Sequence, residues 1–367
     1  MLEFSLPSDA PGYRMIDTIE IKNFRGFQNL IVKDCKRINV LVGESGSGKT
    51  ALLEALYLAM GTTTELSIRI RQQRGLEGMF NGGVRQIERA LWGDLFHGLD
   101  MDRTISIALN GTGEECRSLF IGRGDTPSVA NLSLEGTQSN SSQMRFTWFD
   151  WRGGEHSVQP EIGAGGIKFP STGEVLPDHY FFFANLVPSA NETAGRFSEL
   201  SSVGSDEEFV AIFREQYPWI ENISVEALGG SPVLTARLTG TKLKLPVASL
   251  SSAINRYMSI FLAIQSRKKS AVLVDEIENG VYHENHASLS KALISFARRY
   301  ETQIFASTHS AEWLKAFIHA AGDDTSDIAL WKLERTQQGP ELFQFSGAKM
   351  KAALEQGAEL RGHTFYG

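Results

Sequence analysis

Cysteine is scarce: Cys35 and Cys116 are the only two in 367 residues, at a spacing that matches no zinc or redox motif. That argues against a disulfide framework and for a reducing compartment, so the expected location is cytoplasmic. Long apolar runs are missing as well. No stretch approaches the length of a bilayer span, and no membrane partner is expected. Positive charge is not in excess either: 36 Lys and Arg stand against 43 Asp and Glu, a formal net charge of -7. Nothing global therefore marks a nucleic-acid binder, although a local basic patch is compatible with that sum. There is no fixed-period repeat and no sustained heptad pattern. Residues 1–14 carry Pro7 and Pro11 but neither a basic n-region nor an apolar h-region, and read as a short mobile leader.

What is present begins with Gly43-Glu44-Ser45-Gly46-Ser47-Gly48-Lys49-Thr50, which fits the P-loop pattern G-x-x-x-x-G-K-[ST]. The residues before it, Arg37 to Val42, read as a buried strand, and those after it, Ala51 to Ala59, as a helix. Glycines at 43, 46 and 48 let the backbone curl so that successive N–H groups face phosphate oxygens, and the helix N-terminus adds its positive dipole end. In that frame Lys49 reaches the β- and γ-phosphates and the Thr50 hydroxyl ligates Mg²⁺.

Upstream, Met15 to Ile21 and Leu30 to Val32 read as two strands around the turn Lys22-Asn23-Phe24-Arg25-Gly26-Phe27. A hairpin feeding the P-loop strand brings Asn23 and Arg25 within reach of a nucleotide; the competing reading of Arg25 is a solvated turn residue. Residues 61–89 form the most basic region, with Arg69, Arg71, Arg74 and Arg85 around Gln72, Gln73 and Gln86. They either face phosphate or cover a solvated loop and helix. From Thr104 to Phe183, short alternating runs at 105–109, 117–121, 144–149 and 180–183 predict an antiparallel β-subdomain, with residues 126–142 as a mobile loop. Helices are expected over 192–202, 207–216 and 254–267, the last preceded by Ser249, Ser251 and Ser252 as N-cap candidates. Residues 223–228 and 233–238 predict a hairpin around Gly229-Gly230.

Ser270-Ala271-Val272-Leu273-Val274-Asp275-Glu276 is a buried strand ending in two acids. In P-loop proteins the first acid holds Mg²⁺ through its water shell and the next polarises the attacking water, which makes Asp275 the metal candidate and Glu276 the base. Gln303 to Thr308 is a further strand that delivers His309 to the edge where open α/β sheets bind nucleotide, as a candidate γ-phosphate contact. His283 and His286 are spaced for one helix face but have no third ligand, so they are not read as a metal site.

The order of the Asn23-Phe24-Arg25 hairpin, the P-loop, Val274-Asp275-Glu276-Ile277-Glu278-Asn279-Gly280 and Ser307-Thr308-His309-Ser310 resembles the SMC/RecF/OLD-type branch of ABC ATPases, particularly its small members of prokaryotic antiphage defence. The resemblance covers most of residues 15–361. It implies an α/β P-loop fold: an ABC-ATPase head with a mixed sheet, an antiparallel β-subdomain and a helical subdomain. After the leader, residues 15–367 would form one head, with hairpin and P-loop over 15–60, an insertion with the β-subdomain over 61–190, the helical and signature region over 191–267 and the Walker B and switch-histidine lobe over 268–367. It further implies that Lys49 and Thr50 bind ATP and Mg²⁺, that Asp275 is the Walker B acid, Glu276 the catalytic base and His309 the switch histidine, that Glu278-Asn279-Gly280 lies in the D-loop region, and that Gln73 or Gln86 is the Q-loop glutamine at the metal.

The chain departs from the pattern in two places: Ser45 stands where the branch often has Asn, and Leu250-Ser251-Ser252-Ala253 lacks the signature glycines. Ser251 and Ser252 would then have to cap the γ-phosphate in the opposite subunit. The resemblance implies an ATP-dependent homodimer that regulates a separate nuclease or toxin, since the chain leaves no room for an appended nuclease domain. The alternatives are a nucleotide-gated scaffold with little hydrolysis, which the glycine-free segment motivates, and a RecF-like repair ATPase binding duplex DNA.

Overall fold

The structure, a computed structural model, describes residues 14–76, 83–113, 115–124, 142–163, 166–168, 179–185, 187–266, 269–337 and 339–357. The expected leader up to residue 13 and the expected mobile loop up to residue 141 lie outside the described residues, as does the chain end from 358. In chain order the elements are β1 (Ile16–Phe24), β2 (Phe27–Val32), β3 (Ile38–Val42), α1 (Lys49–Met60), α2 (Glu65–Gln73), α3 (Val84–Trp92), β4 (Ile105–Gly111), β5 (Cys116–Arg123), β6 (Met144–Phe149) and β7 (Glu155–Val158). There follow β8 (Glu161–Gly163), β9 (Gly166–Lys168), β10 (His179–Phe182), α4 (Ala190–Ser202), α5 (Asp206–Gln216), β11 (Ile220–Leu228), β12 (Ser231–Leu238) and β13 (Lys244–Pro246). The last third holds α6 (Ser252–Ser266), β14 (Ala271–Val274), α7 (His286–Arg299), β15 (Gln303–Ser307), α8 (Ala311–Ala321), β16 (Ile328–Thr336), β17 (Gly339–Ser346) and α9 (Gly347–Glu355).

The chain divides into two compact units that interleave in sequence: one of Met1–Cys35, Gly46–Pro177 and Arg335–Leu342, the other of Lys36–Ser45, Asp178–Glu334 and Phe343–Gly367. The first is built on a six-stranded antiparallel sheet in the order β2-β1-β4-β5-β6-β7. Strict alternation of buried and half-buried residues along β4 and β6 shows why these sequences choose strand: one face is apolar and covered, the other wet. Helix α1 is apolar almost all round and buried along its length. Its C-terminal carbonyls, which no intrahelical N–H can reach, are taken up by this sheet: Trp148 Nε1 donates to Leu58 O at 3.0 Å, and buried Arg117 donates to Ala59 O at 2.8 Å and Gly61 O at 2.9 Å.

The second unit carries a six-stranded sheet in the order β10-β14-β15-β3-β16-β17, with the first five strands parallel. β3, β14 and β15 are buried at every position, as strands covered on both faces must be. Helices α6, α7 and α8 supply much of the core, where Phe261, Phe296, Trp313 and Phe317 meet the strand side chains Val40, Val272 and Ile304. A smaller sheet, β11-β12-β13, is turned by Gly229 (φ 61°) and Gly230 (φ 85°), the pair of positive φ angles that a two-residue hairpin needs. The expectation for 180–183 needs correction. Residues 180–182 belong to β10, which pairs in parallel with β14 and not within the antiparallel sheet. The run Tyr-Phe-Phe-Phe does not alternate, and an unbroken apolar run belongs in a parallel sheet.

Candidate functional site

β3 ends at Val42 and α1 begins at Lys49, so the loop Gly43 to Gly48 joins strand to helix directly. Its three glycines have φ of 141°, 78° and 109°, a half of conformational space that side chains resist, which is why this turn needs glycine. The loop crosses from one compact unit to the other between Ser45 and Gly46. α1 has no acidic residue in its first turn, so the positive end of its dipole is left for an anion. Lys49 is buried, and the buried Ser47 hydroxyl has no hydrogen-bond partner among the described residues. A phosphate group would satisfy that orphaned hydroxyl and the helix N-terminus together, so the loop fits a nucleotide; the Lys49 ammonium and the Thr50 hydroxyl are the groups there that could hold phosphate and Mg²⁺.

In the second unit, β14, β15 and β3 are consecutive neighbours and parallel, so the residues that follow them emerge at one edge. Asp275 and Glu276 leave β14, His309 leaves the β15 end and Gly43 leaves β3. The edge is tied together by hydrogen bonds that cross from strand to strand. Ser307 Oγ donates to Asp275 Oδ1 at 2.5 Å and accepts the Glu276 N–H at 2.8 Å, while Thr308 N donates to Leu41 O at 2.9 Å. Glu276 takes the left-handed conformation with φ 51°, a strain of about 1–3 kcal/mol, which it shares with turn residues such as Asp34, Lys269 and Glu301.

The turn that follows orients the acid. Asn279 Nδ2 donates to Glu276 Oε2 at 2.8 Å and to Ala184 O at 3.2 Å, and His309 Nε2 lies 4.0 Å from Glu276 Oε1. Glu278 reaches the other way and accepts the His309 backbone N–H at 2.6 Å. Glu276 and His309 side chains are each 37% exposed, enough for both to meet a ligand and water. Asp275 is buried, as suits an acid that would act on a metal from behind its water shell.

Arg256 on α6 could not be read from the sequence. It is buried, yet its guanidinium donates to Phe183 O (2.6 Å), Ala184 O (3.2 Å) and Asp275 O (2.6 Å), joining the ends of β10 and β14. Burial pulls it below its ordinary value, while Tyr257 and the carboxylates of Asp275, Glu276 and Glu278 act against that. Tyr257 OH adds a bond to Ile277 O at 2.8 Å. Ser252 opens α6, and Ser251 O accepts the Asn255 N–H at 3.1 Å. The glycine in contact with this segment stands across from it. Gly280 (φ 76°) lies where an added Cβ would come within 3.3 Å of Ala253 Cβ, so the loop after Glu276 rests on the start of α6.

Asn23, Arg25, Gln73 and Gln86 belong to the first unit. Arg25 is not a solvated turn residue. Its side chain is 10% exposed, with Nε 2.6 Å from Glu54 Oε2 and Nη1 donating to Asp94 Oδ2 at 3.1 Å. Glu54, one turn along α1 from Thr50, also accepts a two-pronged pair from Arg74 at 2.8 and 3.0 Å, and Arg71 reaches Asp94 at 3.4 Å. Half of the basic cluster in the sequence is therefore spent on carboxylates; Arg69 and Arg85 are exposed. Asn23 Nδ2 donates to Thr104 O at 3.0 Å. Gln86 Oε1 accepts the Gly83 N–H at 3.3 Å, closing the N-terminus of α3, and Gln73 is the last residue of α2.

Comparison with known proteins adds the following. Residues 15–95 match the model of an AAA ATPase domain, and residues 167–314 the model described as "AAA domain, putative AbiEii toxin, Type IV TA system". The chain is 23% identical to an ATP/GTP phosphatase of Helicobacter pylori over 332 residues, 82% of this chain and 87% of that protein. It is 44% identical to the DNA replication and repair protein RecF of Idiomarina loihiensis, but over 43 residues, 12% of each chain. Among solved structures, an SMC head bound to the C-terminal winged-helix domain of ScpA superposes with a TM-score of 0.51 at 13% identity, covering 90% of this chain and 98% of that one. An SMC head from Pyrococcus furiosus with an extended coiled coil, bound to the C-terminal domain of ScpA, gives 0.50 at 11% identity, covering 93% and 98%.

Proposed function

Taking as premise that the chain has the fold of an SMC/RecF-like ABC-ATPase head, we propose that it binds ATP with Mg²⁺ and hydrolyses it. The observation that carries this reading is the oriented Glu276 carboxylate, with His309 beside it, at the strand edge from which the P-loop also leaves. Lys49 and the P-loop N–H groups hold the β- and γ-phosphates. Thr50 and Asp275 are the residues that would hold Mg²⁺, which would supply neutralisation of phosphate charge. Glu276 takes a proton from water as the water oxygen bonds to the γ-phosphorus and the bond to the β-phosphate oxygen breaks, giving ADP and phosphate. His309 donates to a γ-phosphate oxygen. The relation to an ATP/GTP phosphatase supports nucleotide hydrolysis as the reaction class.

Two copies pair head-to-tail around ATP, each Ser251-Ser252 segment facing the partner's γ-phosphate, and the pair regulates a separate effector protein, a nuclease or toxin of antiphage defence. The SMC heads bound to ScpA domains support a protein partner in general, and the toxin-system description of the second family model supports the defence setting. The mass of the purified protein with and without Mg²⁺-ATP, in the Glu276→Gln variant that retains nucleotide, tests the pairing: doubling with ATP is expected, and an unchanged monomer mass contradicts it. A second reading is a nucleotide-gated scaffold with little turnover, which the absence of glycine from 250–253 favours. Robust phosphate release eliminates it.

A further inference from the structure

We infer that Asn279 is the positioning residue of the general base: it fixes one oxygen of Glu276 and so leaves the other to take the proton. The inference rests on the ATPase reading above, and its geometry stands apart from it. The Asn279 amide nitrogen has two hydrogens and two acceptors, Glu276 Oε2 at 2.8 Å and Ala184 O at 3.2 Å. Both neighbours only accept, so the nitrogen and not the carbonyl oxygen of the amide must stand there. Both hydrogens are thereby used, and the carboxylate can turn no further toward Asn279. Oε1 is the oxygen that remains, and it faces His309 Nε2 at 4.0 Å on the half-exposed side.

The anchor is itself anchored. Ala184 O, the second acceptor, also receives Arg256 Nη1, and the same guanidinium holds Asp275 O, one residue before the base. The Asn279 backbone N–H returns to Glu276 O at 3.1 Å, closing a turn whose first residue is the strained Glu276. Asn279 thus bridges the end of β10 and the acid after β14, and a change at either strand end would be felt as a rotation of the carboxylate. The charged and titratable groups that face Glu276 are His309 from the β15 end, Arg256 from α6, and Asp275 and Glu278 from its own segment.

The test uses the full chain with Asn279→Asp, which is isosteric but donates nothing and adds a like charge, and Asn279→Leu, which donates nothing and adds no charge. Two quantities are read: kcat and KM for phosphate release from Mg²⁺-ATP, and the orientation of the Glu276 side chain in crystal structures of the wild type and of each variant. Both variants are expected to turn the Glu276 carboxylate away from its wild-type orientation. They should lower kcat about 100-fold, the usual cost of a misplaced reacting group, with KM for ATP changed less than about twofold. A carboxylate that keeps its orientation in both variants overturns the inference, as does an unmoved kcat in an active enzyme. If the wild type releases no phosphate while the carboxylate turns as expected, the ATPase reading fails and the placement of the carboxylate by Asn279 stands.

Discussion

Glu54, four residues after Thr50, and Glu276, directly after Asp275, stand in different compact units, and their surroundings are opposite. Glu54 is 1% exposed and both of its oxygens meet arginine: Arg74 on each, Arg25 on one. Glu276 is 37% exposed, and an uncharged amide holds one oxygen. A carboxylate whose two oxygens both meet guanidinium is occupied in holding those arginines, and its pairing is architecture. One that is held on a single side keeps a basic oxygen. The same residue type is a joint in the first unit and, in the proposed reaction, a reagent in the second, and the difference is legible in the partners rather than in the residue.

The comparison predicts that substitutions of the two glutamates separate into a loss of turnover at Glu276 and a loss of stability at Glu54. Glu276→Gln is expected to have the largest effect, slowing ATP turnover by about 10²–10⁴-fold, the usual contribution of a general base, with the thermal unfolding midpoint unchanged. Next comes Glu54→Ala. Leaving Arg25 and Arg74 without their buried partner should cost about 3–5 kcal/mol in urea unfolding. A Glu54→Ala protein of unaltered stability would remove the distinction between the two glutamates.

Trp148→Phe deletes the donor to Leu58 O, which keeps only the Gly61 N–H at 3.3 Å, and replaces the buried indole with a smaller ring, at a cost of about 1–3 kcal/mol read in the same experiment. The smallest effect is expected from Asp94→Asn. Asp94 is 33% exposed and meets Arg25 and Arg71 near water, so the loss should stay below about 1 kcal/mol and shrink further in high salt.

How much of this could be read beforehand depended on whether the partners are near in sequence. The P-loop is contiguous, so its strand, glycines and helix were all visible, and the apolar run ending in Asp275-Glu276 was visible for the same reason. The β11–β12 hairpin was legible from Gly229-Gly230, whose positive φ angles are a local requirement. Partners distant in sequence escaped. Arg256 acts on backbone groups brought near by the parallel sheet and nothing in its own neighbourhood marks it, and Ser307, though part of a quoted motif, gives no sign there that its hydroxyl meets Asp275 and the Glu276 N–H. Arg25 looked as though it could be a solvated turn residue because Glu54 and Asp94 are 29 and 69 residues away in the chain. The placement of 180–183 failed because a short aromatic run names a strand but not the sheet it joins. Asn279 lay in between: three residues after Glu276, it was in view as part of a loop, but its two acceptors could be counted only once β10 had been placed beside β14.

The most direct test of the account is phosphate release from Mg²⁺-ATP by the wild-type chain beside Lys49→Ala. The account predicts steady release by the wild type that the substitution abolishes together with nucleotide binding. Release that persists in Lys49→Ala would contradict it, because hydrolysis would then not depend on the P-loop from which the whole site is argued.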